Sequence, residues 1–394
     1  MKNLLYYSKE IFISFTLYPN NMLFNYPSLS VKSKRSQSAL EYMMTYGWAI
    51  LIIVIVAVIL YSMGIFNPSS SISTTVTGFA GLGSVSAQCF PGGGLVLSLG
   101  DSLGVPIQIT KITTTNQNGK LVSVNFSSII SASGLSYFVL ADSCSNNSGM
   151  SFSNKISVMY KEPGQPLPGP YISSGAITGK TISQGAVANF NGNNAYIYAP
   201  VGSWLGTNHA FTIVAWVYSP AGLGGTIANI CTSPTCGGWS TPFLGYNNSG
   251  TGYIYAWING PPTLGLPATF GKWYFSAITY SATSSFQELY VNKSTVSGSG
   301  TYSPSDSFDY ITIGSDPTGQ HESNQYFTGE IFDVQIYNTT LSASQIQDLY
   351  NNGFGAAPIT NNGLVAWWPL DGNANDYSGY NNKGVAINVK WVSP

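Results

Sequence analysis

The chain has 394 residues, enough for two folded domains and an anchor at about 150 residues per domain. Only 7% of residues are charged, yet 44% are hydrophobic and 26 Tyr, 19 Phe and 9 Trp supply a core, which excludes a disordered chain. The net charge of −1 hides an imbalance: Lys2, Lys9, Lys32, Lys34 and Arg35 crowd residues 1–36, against one acid, Glu10. The rest carries nine Lys, no Arg and fourteen acids, which excludes a basic track for nucleic acid.

Residues 48–66 (WAILIIVIVAVILYSMGIF) are nineteen without a charge, close to the roughly 20 apolar residues that span a bilayer. Apolar side chains occupy the whole circumference, as suits a helix surrounded by lipid or by other helices. Extended back to Gln37 the predicted helix covers 37–66, about 45 Å at 1.5 Å per residue, and Asn67-Pro68 ends it. Positive charge stands only on its N-terminal flank. The positive-inside rule therefore places 1–36 in the cytoplasm and everything after 66 outside.

Residues 72–162 read as a small all-β domain. Its clearest strands are LVLSLGD (95–101), PIQITKITTT (106–115), KLVSVNFSS (120–128), SYFVLAD (136–142) and KISVMY (155–160), separated by turn residues such as Asn118-Gly119. Four Pro in 162–170 predict a stiff linker over 163–170. A second β domain is expected over 171–394, with strands FTIVAWVYS (211–219), GYIYAWING (252–260), KWYFSAITYS (272–281), ELYVNK (288–293), YITIGS (310–315) and EIFDVQIYN (330–338). One short helix follows Leu341: Ser342 with Gln345 makes a capping box, Ile346, Leu349 and Tyr350 form its apolar face, and Gly353 closes it.

The four cysteines form two local sets, Cys89 with Cys144 and Cys231 with Cys236. An even count fits an oxidising exterior and two local disulfides. Zinc and buried free thiols are the alternatives, and for zinc no His lies near Cys231 and Cys236 to complete a tetrahedral set.

Lys34-Arg35-Ser36-Gln37-Ser38-Ala39-Leu40-Glu41-Tyr42, followed by TYGWAIL (45–51), resembles the class III signal peptide of archaeal type IV pilin-like proteins. The resemblance implies that a membrane prepilin peptidase cuts between Ser36 and Gln37. The apolar helix is then retained, sits in the membrane before assembly and afterwards packs as the core of a homopolymeric filament. A carboxylate at a bilayer centre costs about 2.5–3.5 kcal/mol. Glu41 therefore needs a cation once assembled, and the freed amine of Gln37 on a neighbouring subunit is the solution the resemblance implies.

The second domain resembles the laminin-G-like, concanavalin A-type sandwiches, through AVANFNGNNAYIYAP (186–200), HAFTIVAWVY (209–218), GKWYFSAITY (271–280), YVNK (290–293) and FTGEIFDVQIYNTTLSASQIQDLYNNG (327–353). Many such domains hold calcium through aspartates in an FDGxxDY-like segment and an IDDV-like strand. Here these become Phe190-Asn191-Gly192-Asn193-Asn194-Ala195-Tyr196, which has lost both acids, and Ile331-Phe332-Asp333-Val334, which keeps one. Any calcium implied by the resemblance falls to Asn191 and Asp333. GLVAWWPLDGNANDYSGYNNKG (363–384) resembles the opening of such a domain but stands after its end. It either closes the chain's own sandwich as a circular permutation, completes a neighbouring subunit or begins a truncated further domain. Asp371 and Asp376 read as turn residues. The expected fold is thus mainly β with one long N-terminal α-helix: a small all-β pilin domain, then a concanavalin A-like jelly roll.

No catalytic constellation accompanies these elements. Glycoside hydrolysis needs two carboxylates on one cleft. The acids Asp306, Asp309, Asp316 and Glu322 cluster only along a loop-strand-loop stretch, where solvated acids are usual. His209 and His321 stand apart, and there is no nucleophile elbow, P-loop or metal helix motif. Trp204, Trp239, Trp257 and Tyr253 are candidates to offer aromatic faces to surface glycans, with packing as the commoner use of such residues. Sequons at Asn125, Asn146, Asn247, Asn292 and Asn338 permit glycosylation without exceeding what this composition supplies by chance. The expectation is a non-enzymatic, extracellular filament subunit with an outward sandwich for adhesion. A single-pass surface lectin that never polymerises is the alternative.

Overall fold

The computed structural model describes residues 46–56, 58 and 74–394, apart from 92, 117, 133, 145–148, 183–184, 206–209, 221–223, 235–242, 248–251, 259–262, 301–307 and 317–325. The chain divides into two compact units, Met1–Pro68 and Ser69–Pro394. In the first, residues 46–56 form helix α1, and every one of them is exposed. Most of the helix expected over 37–66, together with Ser36, Gln37 and Glu41, lies outside the described residues. No described helix is long and apolar enough to cross a membrane.

The second unit begins with eight strands: β1 (Thr75–Gly78), β2 (Leu82–Cys89), β3 (Leu95–Asp101), β4 (Ile107–Thr115), β5 (Leu121–Ile130), β6 (Leu135–Leu140), β7 (Ser151–Lys161) and β8 (Tyr171–Lys180). They make two antiparallel sheets, ordered β1-β8-β7-β4-β5 and β2-β3-β6. Strand β7 has the period-2 pattern that produces such a layer: Phe152, Asn154, Ile156, Val158 and Tyr160 are buried, and the residues between them face outward. Leu95, Leu97 and Leu99 meet Ile109, Ile112, Val158 and Ile177 in the core. A disulfide joins Cys89, at the end of β2, to Cys144 beyond β6, with Cα atoms 5.9 Å apart.

The Pro-rich stretch 163–170 is not an interdomain linker. It turns the chain from β7 straight into β8, which pairs residue for residue from Ser151↔Lys180 to Tyr160↔Tyr171. Glu162 N donates to Pro168 O at 2.8 Å across the turn. Proline sets a stiff, extended local path but does not say whether the chain leaves or returns. YISSGAITGK, rich in Gly and Ser, carries little apolar signal for a strand. The small sandwich therefore runs to Lys180 and not to 162.

The large sandwich contains β9 (Val187–Asn191), β10 (Tyr196–Leu205), β11 (Phe211–Tyr218), β12 (Gly225–Cys231), β13 (Phe243–Asn247), β14 (Tyr253–Trp257), β15 (Leu264–Pro267), β16 (Trp273–Ser281), β17 (Phe286–Val291), β18 (Ser294–Ser299), β19 (Phe308–Ile313), β20 (Thr328–Tyr337), helix α2 (Ala343–Asn352), β21 (Leu364–Trp368), β22 (Val385–Ile387) and β23 (Lys390–Val392). One sheet is ordered β15-β14-β13-β12-β19-β10-β22. The other is ordered β18-β17-β16-β11-β20-β9-β23, with β21 beside β20. Strand β11 is apolar on both faces because α2 covers its outer side: Trp216 stacks on Tyr350 at 6.1 Å and meets Phe354 edge-on at 5.5 Å. The capping box of α2 is present in full, and Ile346 and Leu349 are buried.

The C-terminal residues close the sandwich of their own chain. Strand β21 pairs with β20, β22 with β10 and β23 with β9, so one segment feeds both sheets. Strand β20 bulges where β21 arrives: its register on β11 shifts past Val214, and Asp333 takes φ 51°. The buried Asp333 carboxylate accepts from Trp367 Nε1 at 2.8 Å and Gln335 Nε2 at 3.0 Å. Asp376, also buried, accepts from Trp367 N, Ser378 N and Asn382 N.

The same segment holds the small sandwich. Phe90 meets Trp367 edge-on at 5.3 Å, and Tyr137 lies 4.7 Å from Tyr377. Asn361 clamps β6, accepting from Ala141 N at 3.1 Å and donating to Val139 O at 2.7 Å. At Gly94 a Cβ would stand 2.1 Å from Ala357 Cβ, so glycine is what permits the approach.

Two outcomes are expected. Cys89→Ala with Cys144→Ala opens a 55-residue loop and should lower unfolding free energy by about 4 kcal/mol in the chain-entropy model, read from urea denaturation. Burial pushes the Asp333 carboxyl up to about 7, against smaller opposing effects of Gln335 and Trp367. The folded state thus holds a proton that the unfolded chain releases near pH 4. This contribution is complete in acid and is lost as pH rises from about 4 through 7, on the order of 4 kcal/mol. Asp333→Asn keeps the acceptor oxygen and should flatten that part of the stability–pH curve.

Candidate functional site

Alternation along the seven-stranded sheet sends Ile197, Ala199, Ala228, Ile230, Leu244, Ile254, Ala256, Ile311 and Ile313 into the core. The opposite face receives Tyr196 and Tyr198 from β10, Tyr310 and Thr312 from β19, Asn229 and Cys231 from β12, Gly245 from β13, and Tyr253, Tyr255 and Trp257 from β14. Register sets them in rows: Tyr198 is opposite Thr312, Thr312 opposite Asn229, and Gly245 opposite Tyr255. None of these side chains is a carboxylate, a lysine or an arginine.

The aromatic residues take a fixed pose. Because Gly245 has no side chain, the Tyr255 ring leans across β13, where an added Cβ would stand 2.8 Å from it. Gly265 similarly leaves room for Tyr253, 3.3 Å from the same construction. Tyr253 and Tyr255 are 5.7 Å apart, and with Trp257 they form a half-buried row along β14. A second pair, Tyr196 and Tyr198 at 6.2 Å, stands on β10 beside Tyr326. Burial raises the Tyr196 phenol, with smaller contributions from Tyr326 and Tyr198, so it stays a neutral donor.

Between the two aromatic groups the centre is polar and buried. Thr312 Oγ1 donates to Ser315 O at 2.8 Å and lies 3.4 Å from Cys231 Sγ. Asn229 is fully buried with neither amide atom hydrogen-bonded, an arrangement that native proteins rarely leave unsatisfied. The half-buried aromatic residues at its sides can stack rings and offer their phenol and indole groups as hydrogen-bond partners, whereas Asn229, Thr312 and Cys231 are fully buried. No pair of carboxylates is among the side chains named on it.

The sequence candidates disperse over the molecule. Tyr253 and Trp257 are on this face; Trp204 falls within β10, and Trp239 lies outside the described residues. Asn191 is exposed in the β9–β10 turn, its Oδ1 accepting from the backbone N of Asn193, Asn194 and Ala195. Asp333 is buried beneath Trp367. Calcium would need open oxygens converging on one point, and these two residues do not provide them. Among the described residues no group of three or more His, Cys, Asp or Glu is placed to hold a metal. Asp371 Oδ1 accepts from Gly185 N and Ala186 N, so its carboxylate also serves the backbone.

Cys231 is disulfide-bonded, while Cys236 lies outside the described residues. Of the sequons, Asn125 on β5 and Asn338 after β20 are exposed, and Asn247 ends β13 half-buried. Asn292 turns between β17 and β18 at φ 53°, its Oδ1 accepting from Phe275 N. Asn146, His209, His321, Asp306 and Glu322 lie outside the described residues. Asp316 is buried and Asp309 half-buried. Sequence reasoning missed Tyr255, Tyr196, Tyr198 and Asn229. The signal was the repeated YIYA at 196–199 and 253–256, whose period of two puts both tyrosines of each copy on one face.

Residues 191–347 match a family model described as the concanavalin A-like lectin/glucanases superfamily. That stretch ends before β21–β23, the strands that close the sandwich. A search of curated proteins finds no match. Among solved structures, the chain is similar to a proposed carbohydrate binding protein from Bacteroides ovatus (17% identity, 82% of this chain and 92% of that one, TM-score 0.43). It is also similar to a heptameric SAP-like pentraxin from Limulus polyphemus (15%, 53% and 95%, TM-score 0.37). A third is domain 4 of a GH43 extracellular arabinanase from Geobacillus stearothermophilus in complex with arabinotriose (17%, 43% and 83%, TM-score 0.31). With TM-scores below 0.5 these likenesses carry no argument about ligand or chemistry. The matched family and the two facing sheets together make this part of the chain a mainly β, concanavalin A-like sandwich.

Proposed function

We propose that the chain is a non-enzymatic glycan-binding protein of the cell surface, using the outer face of its seven-stranded sheet. The row Tyr253, Tyr255 and Trp257, in which Tyr255 lies over Gly245 and Tyr253 beside Gly265, carries this reading. Sugar rings present C–H faces that stack on aromatic side chains and hydroxyls that suit neutral donors and acceptors. The matched superfamily, described as lectins and glucanases, supports a carbohydrate ligand.

We further propose that this adhesive unit is carried on a type IV pilus-like filament. The residues from Lys34 to Tyr42 support this, and so does the condition of α1. Trp48, Ile50, Leu51, Ile52, Ile53, Val54 and Ile55 are each 48% or more exposed. An apolar helix whose described residues are this exposed needs lipid or copies of itself around it. Prepilin peptidase would release Gln37, and Glu41 would pair with that amine on a neighbour.

Full-length protein carrying Tyr255→Ala or Trp257→Ala should bind cell-surface polysaccharide about 2- to 12-fold more weakly, at 0.5–1.5 kcal/mol per aromatic contact. The melting temperature should be unchanged; retained affinity in both variants would remove this face from consideration. Glu41→Ala should reduce the yield of sheared surface filaments seen by electron microscopy while the β unit stays folded. Unchanged yield, or no filaments in the parent, would leave the single-pass surface lectin.

A further inference from the structure

The three-stranded sheet of the small sandwich buries one face in its core. Its other face looks outward and ends against the C-terminal segment of the large sandwich. Between them is a cleft of about 380 Å³, within the roughly 300–1,000 Å³ of small-molecule sites. Its floor includes Ser84, Ser86 and Gln88 from β2 and Ser98 from β3, and its wall is Tyr137 from β6 with Tyr377.

Register organises these groups. Ser86 is opposite Ser98, and Ser98 is opposite Tyr137, so three hydroxyl-bearing side chains cross the sheet in one row, about 4.8 Å apart from strand to strand. Strand β2 slips register between Gly83 and Ser86, and Ser84 takes φ 47° within the slip. Such bulges re-aim side chains and are common beside sites. The wall is rigid: the Tyr377 ring is held by Tyr137 at 4.7 Å, Trp367 at 5.9 Å and Phe90 at 6.1 Å. Tyr377 belongs to one sandwich and Tyr137 to the other, so the cleft exists only once they are docked.

No lining side chain is charged, which disfavours phosphates, carboxylates and amines. A polar floor of neutral hydroxyls and one amide, under an aromatic wall, matches a molecule with hydroxyls on its rim and C–H groups on its face. We propose that this cleft is a second carbohydrate site, accepting a neutral sugar of one or two rings, distinct from the outer face of the large sandwich. Two sites on one compact unit would raise avidity for a glycan long enough to reach both.

The test uses the full chain in detergent, with maltose, cellobiose and N,N′-diacetylchitobiose as neutral probes and sialyllactose as the charged control, followed by saturation-transfer NMR. Working in the Tyr255→Ala/Trp257→Ala background removes the outer face. At least one neutral probe should still bind there, and sialyllactose should not. Ser86→Trp, at an exposed position, fills the cleft and should weaken that binding by at least about tenfold with melting unchanged. Ser98→Ala should weaken it about 2- to 12-fold, the value of one hydrogen bond. Loss of all neutral binding in the double variant, or binding indifferent to Ser86→Trp, would overturn the cleft. The first result would leave the outer-face reading intact; absence of neutral-sugar binding in the parent would count against both.

Discussion

Trp367 is held from three directions, and the architecture of the β unit depends on it. Its indole N–H reaches the carboxylate of Asp333 in β20, its backbone N–H reaches Asp376, and its ring packs against Phe90 of the small sandwich. The side chain is fully buried. Removing it would leave a buried carboxylate with one fewer donor and a cavity where two sandwiches meet, both among the costlier lesions for a fold. The bulge at Asp333 aims the carboxylate, and the raised pKa follows from that burial.

From this anchor follows a rigid tandem in place of two domains on a hinge. Residues 354–380 touch the small sandwich through rings, through the Asn361 clamp and through Ala357 N donating to Pro91 O. A reading of 163–170 as a spacer would have let the two sandwiches move independently. As a hairpin turn the stretch contributes nothing to their separation, and the docking is made elsewhere. The Tyr137–Tyr377 cleft depends on that docking.

The scarcity of charge shapes both candidate binding surfaces. The Lys120–Asp142 pair at 3.4 Å is largely exposed and adds little to stability. Polarity is supplied by Ser, Thr, Asn and Tyr, which do not change ionisation between pH 4 and 9. Recognition on such surfaces rests on ring stacking and neutral hydrogen bonds, which salt screens far less than ion pairs. The buried acids Asp333 and Asp376 accept hydrogen bonds from the fold itself.

Much of this was legible in the residues themselves. Period-2 patterns in KISVMY and YITIGS foretold strands, the Ser342–Gln345 capping box foretold α2, and the resemblance at 327–353 foretold the sandwich. Those signals are local, set by side-chain alternation and by hydrogen bonds within a few residues. The face bearing Tyr253 and Trp257 was legible in part, because YIYAW shows which residues share a side but not what lies across from them. Only the tertiary structure decided that β8 belongs to the small sandwich, that 363–394 returns to its own sheets, and that Asp333 meets the indole of Trp367. Each depends on contacts between residues far apart in sequence, such as Gly185 with Asp371 or Val139 with Asn361. Strand pairing is set by the fit of distant surfaces, for which a single strand's pattern carries no address.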